Sequence, residues 1–307
     1  MQGSSPTFKW KRFLRFRLMP SWLAMGFFWL LAKLPFSAVM TTGRILGSAS
    51  FYLMSSRRRI AQINLSLAFP EKSETDIRLL TRQAFRNMGM AGAETAWIWH
   101  RWPDMPAEIT IKGGEHIDAA LANGRGVILL QAHFTVLELC GAVVGKRWSV
   151  AAVYDEPKNP LFADYIFSQR SRHLDKLIDN NGIREMVRCL KRGGIVWYSP
   201  DQSVSTARGG VKMKFFGQDA LTTTGTARIV ALTGATVIPF VPLRHDNGKR
   251  YTFTFKQPIA FESDDTLAMT QQVNDQMEAD VRLWPEQYLW SHKRFKPPGH
   301  DYPNPYA

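Results

Sequence analysis

The chain places a histidine and a carboxylate close together at the end of an apolar stretch. His133 lies in LLQAHFTVLELC, residues 129–140, and Glu138 follows it by five positions. Two positions five apart in a regular helix differ by about 500° in direction and do not share a face. We therefore predict that His133 lies at a strand-to-helix turn and that Glu138 lies in the first turns of the following helix, where the two side chains can meet.

A histidine paired with a carboxylate is an arrangement typical of general-base catalysis. A carboxylate bound to one ring nitrogen fixes the tautomer and raises the basicity of the other nitrogen, which can then deprotonate a hydroxyl group that attacks an acyl carbon. The H-x4-[DE] spacing also arises by chance, so the position of His133 after an apolar strand carries the prediction. Asp201 ends a second apolar stretch, GIVWYSPD, and is predicted at a strand end as well.

Strand-like and helix-like segments alternate from residue 106 onward. The strand-like segments are EITIKG, GVILLQAH, SVAAVYDE, KLIDN and GIVWYSPD, and the helix-like ones are EHIDAALANG, TVLELCGAVVG, NPLFADYIFSQRSRH and GIREMVRCLKRG. This alternation predicts crossover connections and an α/β fold with a largely parallel sheet flanked by helices. ATVIPFVPLRHDNGKRYTFTF predicts a hairpin around Asn247-Gly248, which makes the sheet mixed. Ligands of such sheets bind at the carboxyl ends of the strands, where His133 and Asp201 are predicted.

Two further regions are predicted to be helical. The segment from about residue 61 to 101 has apolar residues at helical spacing, and Ser73 followed by Asp76 resembles a capping box with Asp in place of Glu. A terminal helix is predicted over residues 266–283, before a Pro-rich tail.

The amino terminus has the pattern of a membrane-associating segment. FKWKRFLRFR, residues 8–17, interleaves cations with aromatic residues and precedes the apolar run 18–32. A full crossing needs about 20 apolar residues, which this run reaches only if Lys33 snorkels and the following LPFSAVM is included. We therefore expect a helix that lies in the membrane interface, while a true span and a buried core helix remain alternatives. The predicted organisation is an anchor over residues 1–40 and a catalytic domain over 41–307, with a helical part (41–105) and an α/β core (106–307).

The charge balance predicts an anionic partner. Lys and Arg number 39 against 26 Asp and Glu, a formal net charge of +13, which suits nucleic acid, an anionic membrane surface or an acidic protein. No recognised nucleic-acid module accompanies the basic terminus, so nucleic acid is not expected. Cys140 and Cys189 each lie in a helix-like segment, which indicates neither a disulfide framework nor a metal site. The sequence also lacks G-x-S-x-G, P-loop, dinucleotide-binding and H-E-x-x-H motifs.

Five segments spread over nearly the whole chain carry a resemblance to a known family. They are RRRIAQINLSLAFPE, AHFTVLE with its H-x4-E spacing, GGIVWYSPDQ, KFFGQDALTTTGTARIVALTGATVIPFVP and PEQYLWSHKRFK. The chain resembles the secondary acyltransferases of lipid A biosynthesis, the lauroyl and myristoyl transferase family within the glycerolipid acyltransferase superfamily.

This resemblance implies a lipid acyltransferase in lipopolysaccharide biosynthesis. It implies transfer of a fatty acyl chain from acyl carrier protein to a hydroxyacyl chain of a Kdo-lipid IVA type precursor, on the cytoplasmic side of a bacterial inner membrane. The implied partners are acyl carrier protein, the lipid A precursor and the anionic membrane surface. The acylated carrier protein is the co-substrate, and no metal or other cofactor is implied. An acyltransferase for a lysophospholipid or glycolipid and a noncatalytic lipid-binding scaffold are the alternatives.

The resemblance also implies roles for individual residues. We expect His133 to be the general base and Glu138 to orient its imidazole. Arg170 and Arg172 resemble a basic element that holds a phosphate or a Kdo carboxylate, with a solvated helix face as the alternative. The developing oxyanion needs donors, either backbone amides at the turn after His133 or a nearby basic residue.

Three more residues are predicted to bind substrate. Asp201 matches the strand-end aspartate of the family and is expected to position the acceptor or support the site, unless it caps the following loop. Thr223 and Thr224 open a predicted helix whose free amides can bind an anion, with simple N-capping as the alternative.

Overall fold

A seven-stranded mixed sheet organises the computed structural model, which describes residues 8–297 and 303–307. The helices are α1 Met19–Leu31, α2 Phe36–Leu53, α3 Ser55–Ala68, α4 Glu74–Arg101, α5 Gly114–Ala122, α6 Leu137–Arg147, α7 Pro160–Arg170, α8 Ile183–Lys191, α9 Gly225–Thr233 and α10 Thr266–Leu283. The strands are β1 Glu108–Lys112, β2 Val127–Leu130, β3 Val150–Tyr154, β4 Lys176–Asp179, β5 Ile195–Tyr198, β6 Val211–Phe215, β7 Gln218–Thr222, β8 Thr236–His245 and β9 Arg250–Phe255.

The order of the strands confirms the predicted mixed, largely parallel sheet. It runs β1-β9-β8-β2-β5-β3-β4, and β8 and β9 form the antiparallel hairpin expected around Asn247-Gly248 while the other neighbours pair in parallel. β6 and β7 form a separate two-stranded hairpin that the sequence pattern did not predict. The predicted terminal helix is confirmed as α10.

The central strand β2 is buried on both faces of the sheet. Val127 and Leu129 contribute to one hydrophobic core, while Ile128 and Leu130 contribute to the other, because successive side chains of a strand point to opposite faces. This double burial explains why β2 appears in the sequence as a continuous apolar run. The polar residues that follow it therefore emerge at an edge of the sheet between two layers of helices.

The helical region before the sheet is built from α2, α3 and α4. Ser73 begins α4 as predicted, since its hydroxyl accepts a hydrogen bond from the amide of Asp76 at 3.1 Å. α2 and α4 approach closely at Gly43, where an added Cβ would lie 2.6 Å from the Cβ of Ala93. A larger side chain at position 43 would therefore force the two helices apart.

The predicted anchor over residues 1–40 contains α1 and the start of α2, apart from residues 1–7, which lie outside the described residues. α1 buries Met25 and Leu31 but leaves Leu23 and Leu30 69% and 60% exposed. In the described part of the chain, no helix is both long and apolar enough to cross a membrane. The membrane-associating role of this segment stays a prediction.

A buried ion pair joins α4 to the sheet. The guanidinium of Arg244 on β8 donates two hydrogen bonds to the carboxylate of Glu94, and the side chains are 1% and 3% exposed. Asn87 accepts a third bond from Arg244 at 2.9 Å, and the hydroxyl of Tyr251 donates to Glu94. Burial by itself would lower the pKa of Arg244, but the adjacent Glu94 charge outweighs burial and raises it. Each buried charge therefore depends on its partner.

Replacing Glu94 with Gln should destabilise the fold by about 3 to 5 kcal/mol, because it leaves the Arg244 charge buried without a counter-charge. The measurement is the free energy of unfolding from denaturant titration in detergent. Asp104→Asn is the matched control, since it removes a carboxylate from the exposed pair with Arg101 and should leave the transition nearly unchanged. Equal transitions for both variants would show that the buried pair does not stabilise the fold.

Candidate active site

His133 lies three residues beyond the end of β2, at the predicted strand-to-helix turn. The carboxyl-terminal segment fixes this turn through two backbone hydrogen bonds, from Leu289 N to His133 O at 3.0 Å and from Thr135 N to Gln287 O at 2.8 Å. α6 begins only at Leu137, so the His133 backbone is not part of the helix. The imidazole is thereby held at the carboxyl edge of the sheet.

Asp201 is the carboxylate that holds the imidazole. Its Oδ1 lies 2.5 Å from His133 Nδ1, and its Oδ2 accepts the His133 amide at 3.0 Å. The hydroxyl of Tyr288 donates a further hydrogen bond to Oδ2 at 2.8 Å, and Asp201 is almost completely buried. The carboxylate thus accepts three hydrogen bonds while it is itself shielded from solvent.

The two groups shift each other's pKa. Burial would raise the pKa of the Asp201 carboxyl, but the charge and hydrogen bonds of His133, together with the Tyr288 hydroxyl, lower it to about 2. Burial would lower the pKa of His133, but the Asp201 charge and hydrogen bond outweigh burial and raise it. Asp201 therefore stays ionised and accepts the Nδ1 proton, which leaves Nε2 of His133 as the basic nitrogen.

Glu138 does not hold the imidazole, which corrects the expectation that it orients His133. It lies in the first turn of α6, as predicted, but its Oε1 accepts hydrogen bonds from Nε and Nη2 of Arg170 at 3.0 and 2.5 Å. Its Oε2 accepts the indole N–H of Trp99 at 3.1 Å. The physical reason is that β2 and β5 pair side by side and end together, which brings Asp201 to His133, while α6 turns Glu138 towards α7.

Arg170 and Arg172 are both held by other groups of the protein. Glu138 raises the pKa of Arg170 against the lowering effect of burial, and both side chains line the cavity described below. Arg172 donates from Nη1 to the backbone oxygen of Trp99 and to the amide oxygen of Gln169, both at 2.9 Å. The prediction that this pair binds an anionic group of the substrate stays a prediction.

Thr223 and Thr224 precede α9, as predicted. The hydroxyl of Thr223 accepts the amide of Gly225 at 3.0 Å, and Thr223 and Gly225 line the cavity. Thr224 occupies the N-cap position of α9, but its buried side chain makes no capping hydrogen bond. The N-capping alternative is therefore wrong for Thr224, and the prediction of an anion site at this helix end stays open.

A cavity of about 690 Å³ opens next to the His133 imidazole. One part of its wall is apolar and contains Leu137, Gly141, Ala152, Leu174, Met186 and Trp197. The other part is polar and contains Ser199, Gln202, Ser203, Arg208, Thr223 and Lys296. His133, Glu138 and Arg170 also line it, so a base, a cation and apolar side chains border the same cavity.

Sequence reasoning missed two residues of the site. Tyr288 lies in PEQYLWSHKRFK, one of the segments that resemble the family, but the sequence analysis assigned no role to this residue. Trp99 lies in an apolar helical stretch whose pattern gives no sign of a contact with Glu138. Both contacts join elements that are far apart in the chain, and no local pattern reports such a contact.

Replacing Asp201 with Asn should lower the pKa of His133, because a neutral amide leaves the effect of burial unopposed. In the native protein His133 should gain its proton as the pH falls through a value above the ordinary 6.5, and in the variant only at lower pH. The measurement is an NMR titration of labelled histidine in detergent. Asp155→Asn, which removes a carboxylate of the same cavity wall without a bond to His133, is the control. An unchanged titration in Asp201→Asn would show that Asp201 does not set this pKa.

Comparison with known proteins relates this chain to enzymes of lipid A synthesis. A family model described as bacterial lipid A biosynthesis acyltransferase matches residues 6–297. The chain is 33% identical to the lipid A biosynthesis lauroyltransferase of Escherichia coli (strain K12), over 90% of this chain and 91% of that protein. It is 30% identical to the palmitoleoyltransferase of the same strain, over 93% and 94%, and 28% identical to its myristoyltransferase, over 82% and 79%.

Proposed function

The chain belongs to the bacterial lipid A biosynthesis acyltransferase family, and we propose that it transfers a fatty acyl chain from acyl carrier protein to a hydroxyacyl chain of a Kdo-lipid IVA type precursor. The observation that carries the proposed mechanism is the pair of His133 and Asp201, with Nε2 of the imidazole beside the cavity. Acylated carrier protein is the co-substrate, and the proposal needs no metal or other cofactor.

His133 acts as the base for the acceptor. Its Nε2 takes the proton from the acceptor hydroxyl while the hydroxyl oxygen attacks the thioester carbon. Asp201 stabilises the imidazolium that forms, as the buried carboxylate does in the serine protease template. When the tetrahedral intermediate collapses, the C–S bond breaks and the imidazolium returns its proton to the thiolate of the carrier. The products are an ester and a free thiol.

Arg170 stabilises the oxyanion in this proposal. The amides of Phe134 and Thr135 are bonded to Ala132 O and Gln287 O, so the turn directly after His133 does not offer them to a substrate. Arg170 uses Nε and Nη2 to bind Glu138 and retains Nη1 for another acceptor. Glu138 then acts by fixing the guanidinium at the cavity wall rather than by orienting the imidazole. A preoriented cation of this kind stabilises negative charge that develops in the transition state.

The apolar part of the cavity is the proposed site of the acyl chain. A Cβ added at Gly141 would be in ordinary van der Waals contact with the ring of Trp197 at 3.6 Å and with Leu174 at 3.8 Å, so Gly141 lies directly beside these apolar side chains of the cavity wall. The depth of such a site limits the length of the chain that enters, although each methylene contributes only about 1 to 3 kcal/mol of discrimination.

The proposed location is the cytoplasmic face of a bacterial inner membrane, with the anchor over residues 1–40 and the remainder of α2 also at the membrane surface. Residues 1–70 contain ten Lys or Arg and no Asp or Glu, so most of the net charge of +13 belongs to this part of the chain. α2 exposes Ile45, Leu46, Tyr52 and Leu53 along one face, and Phe27 of α1 shares a shallow groove with Leu46. Cations beside an exposed apolar face are the pattern of a helix that binds an anionic lipid surface.

His133→Ala should abolish acyl transfer because the acceptor hydroxyl loses its base. The assay incubates the detergent-solubilised protein with Kdo-lipid IVA and a mixture of acyl carrier protein thioesters and detects products by mass spectrometry. The wild type should add the mass of one acyl chain to the acceptor. His116→Ala, a histidine on α5 outside the cavity, is the matched control and should retain activity.

Two outcomes would contradict this proposal. Unchanged transfer by the His133→Ala variant would exclude His133 as the base. No mass increment with folded wild-type protein would point to another lipid acceptor, such as a lysophospholipid or glycolipid, or to a noncatalytic lipid-binding role.

Replacing Ile45 and Leu53 together with Asp should weaken membrane binding. The two side chains are 60% and 81% exposed on α2, and burial of each in a bilayer is worth about 1.5 to 3 kcal/mol. Co-sedimentation with vesicles containing phosphatidylglycerol should fall by about tenfold or more, which corresponds to at least about 1.4 kcal/mol. Leu267→Asp with Leu283→Asp, exposed positions on α10, is the matched control. Equal sedimentation of the two double variants would contradict the assignment of α2 to the membrane surface.

A further inference from the structure

Two cationic side chains on the cavity wall have no counter-charge within the protein. Arg208 belongs to the short 3-10 turn Thr206–Arg208 that follows β5, and Lys296 belongs to the carboxyl-terminal segment. Across residues 8–297 and 303–307, neither side chain takes part in an ion pair or a hydrogen bond. Both face the volume into which His133 points.

The other charged groups of the cavity wall are largely neutralised by one another. Glu138 pairs with Arg170, and the buried Asp201 compensates any proton gained by His133. Asp155, on the loop after β3, is the remaining carboxylate of the wall. It is exposed, as Arg208 and Lys296 are, so one unpaired negative charge stands against two unpaired positive charges. The groups that are left unpaired therefore favour an anion on the side of the cavity formed by Arg208 and Lys296.

Hydrogen bonds connect three elements on that side of the cavity: the loop of Arg208, the carboxyl-terminal segment of Lys296 and the strand before α9. The amide of Ser203 donates to Nε2 of His292 at 3.3 Å, which ties the loop of Arg208 to the segment of Lys296. The buried guanidinium of Arg294 donates to Leu221 O and to Thr222 Oγ1, both at 2.8 Å, which ties the same segment to the strand before α9. The backbone segments that carry Arg208 and Lys296 are therefore held in position relative to the start of α9.

The amino terminus of α9 adds partial positive charge to the same wall. Thr223 and Gly225 line the cavity, and the hydroxyl of Thr223 accepts the amide of Gly225, the first amide of the helix. The N-cap residue Thr224 makes no side-chain hydrogen bond to the amides that follow. In the first turn the hydroxyl of Thr226 is buried and has no hydrogen-bond partner within the described residues. Uncapped helix amides attract anions, and phosphate in particular.

We propose that Arg208, Lys296 and the first turn of α9 form a subsite for a phosphate-class anionic group of the substrate. The inference rests on the proposed function and names residues other than Arg170, which binds Glu138, and Arg172, which binds Trp99 and Gln169. Such a group has two sources in the reaction: a phosphate of the lipid acceptor, and the phosphodiester of the pantetheine arm of the donor. Both present oxygens that a guanidinium, an ammonium and helix amides bind.

The test is steady-state kinetics of the full chain carrying Arg208→Gln and Lys296→Gln together. KM is measured separately for Kdo-lipid IVA and for the acyl carrier protein thioester. The variant loses hydrogen bonds to a charged group, which weakens substrate binding. KM for the substrate that carries this anionic group should therefore rise by about tenfold or more, with a smaller change in kcat. The matched control is Arg125→Gln with Arg192→Gln, which removes two exposed cations that precede β2 and β5 at the opposite edge of the sheet.

The arms of the experiment separate the two sources. A rise in KM for the acceptor alone, together with loss of the preference for the bisphosphorylated acceptor over its monodephosphorylated form, supports the lipid phosphate. A rise in KM for the donor alone supports the donor phosphodiester if the variant shows no such rise when an acyl-pantetheine without phosphate serves as the donor. Both KM values equal to those of the control variant would overturn the subsite. Because wild-type protein is assayed in parallel, failure of the proposed function would appear as no transfer by the wild type itself.

Discussion

The hydrogen-bonded contact between Asp201 and His133 is the interaction on which the candidate site depends. Asp201 lies in a place where burial would favour its neutral form, and it is kept ionised by the imidazole, the His133 amide and the Tyr288 hydroxyl. The same bonds fix the ring, so that Nδ1 is occupied and Nε2 is left for the cavity. One carboxylate thus both orients the His133 imidazole and stabilises its protonated form.

A second feature of the structure is that two ion pairs with little exposure join neighbouring elements. Glu94 and Arg244 join α4 to β8, and Glu138 and Arg170 join α6 to α7 at the cavity wall. Among the cations that form no ion pair within the described residues, those of the amino terminus are proposed to meet a lipid surface and those on one side of the cavity are proposed to meet a substrate.

The elements of the sheet were largely predictable because their signals are local. The apolar run of β2, the Asn247-Gly248 turn and the apolar spacing of α10 each depend on neighbours in sequence, and the structure has these elements where they were expected. The hairpin of β6 and β7 was missed, although β6, VKMKF, alternates apolar and polar residues; β7, QDALT, has no such alternation, so the signal for a pair of strands is incomplete. The position of His133 after a buried strand was likewise readable from residues close to it.

By itself, the sequence determined the alternation of strands and helices, the placement of His133 at a strand end and the resemblance to a family of acyltransferases. The tertiary structure alone decided which carboxylate meets the imidazole. Glu138 is five residues from His133 yet bonds to Arg170, whereas Asp201 is 68 residues away and reaches it because β2 and β5 are neighbours. Strand adjacency results from burying the whole sheet between two layers of helices, and a short stretch of sequence contains no record of that packing.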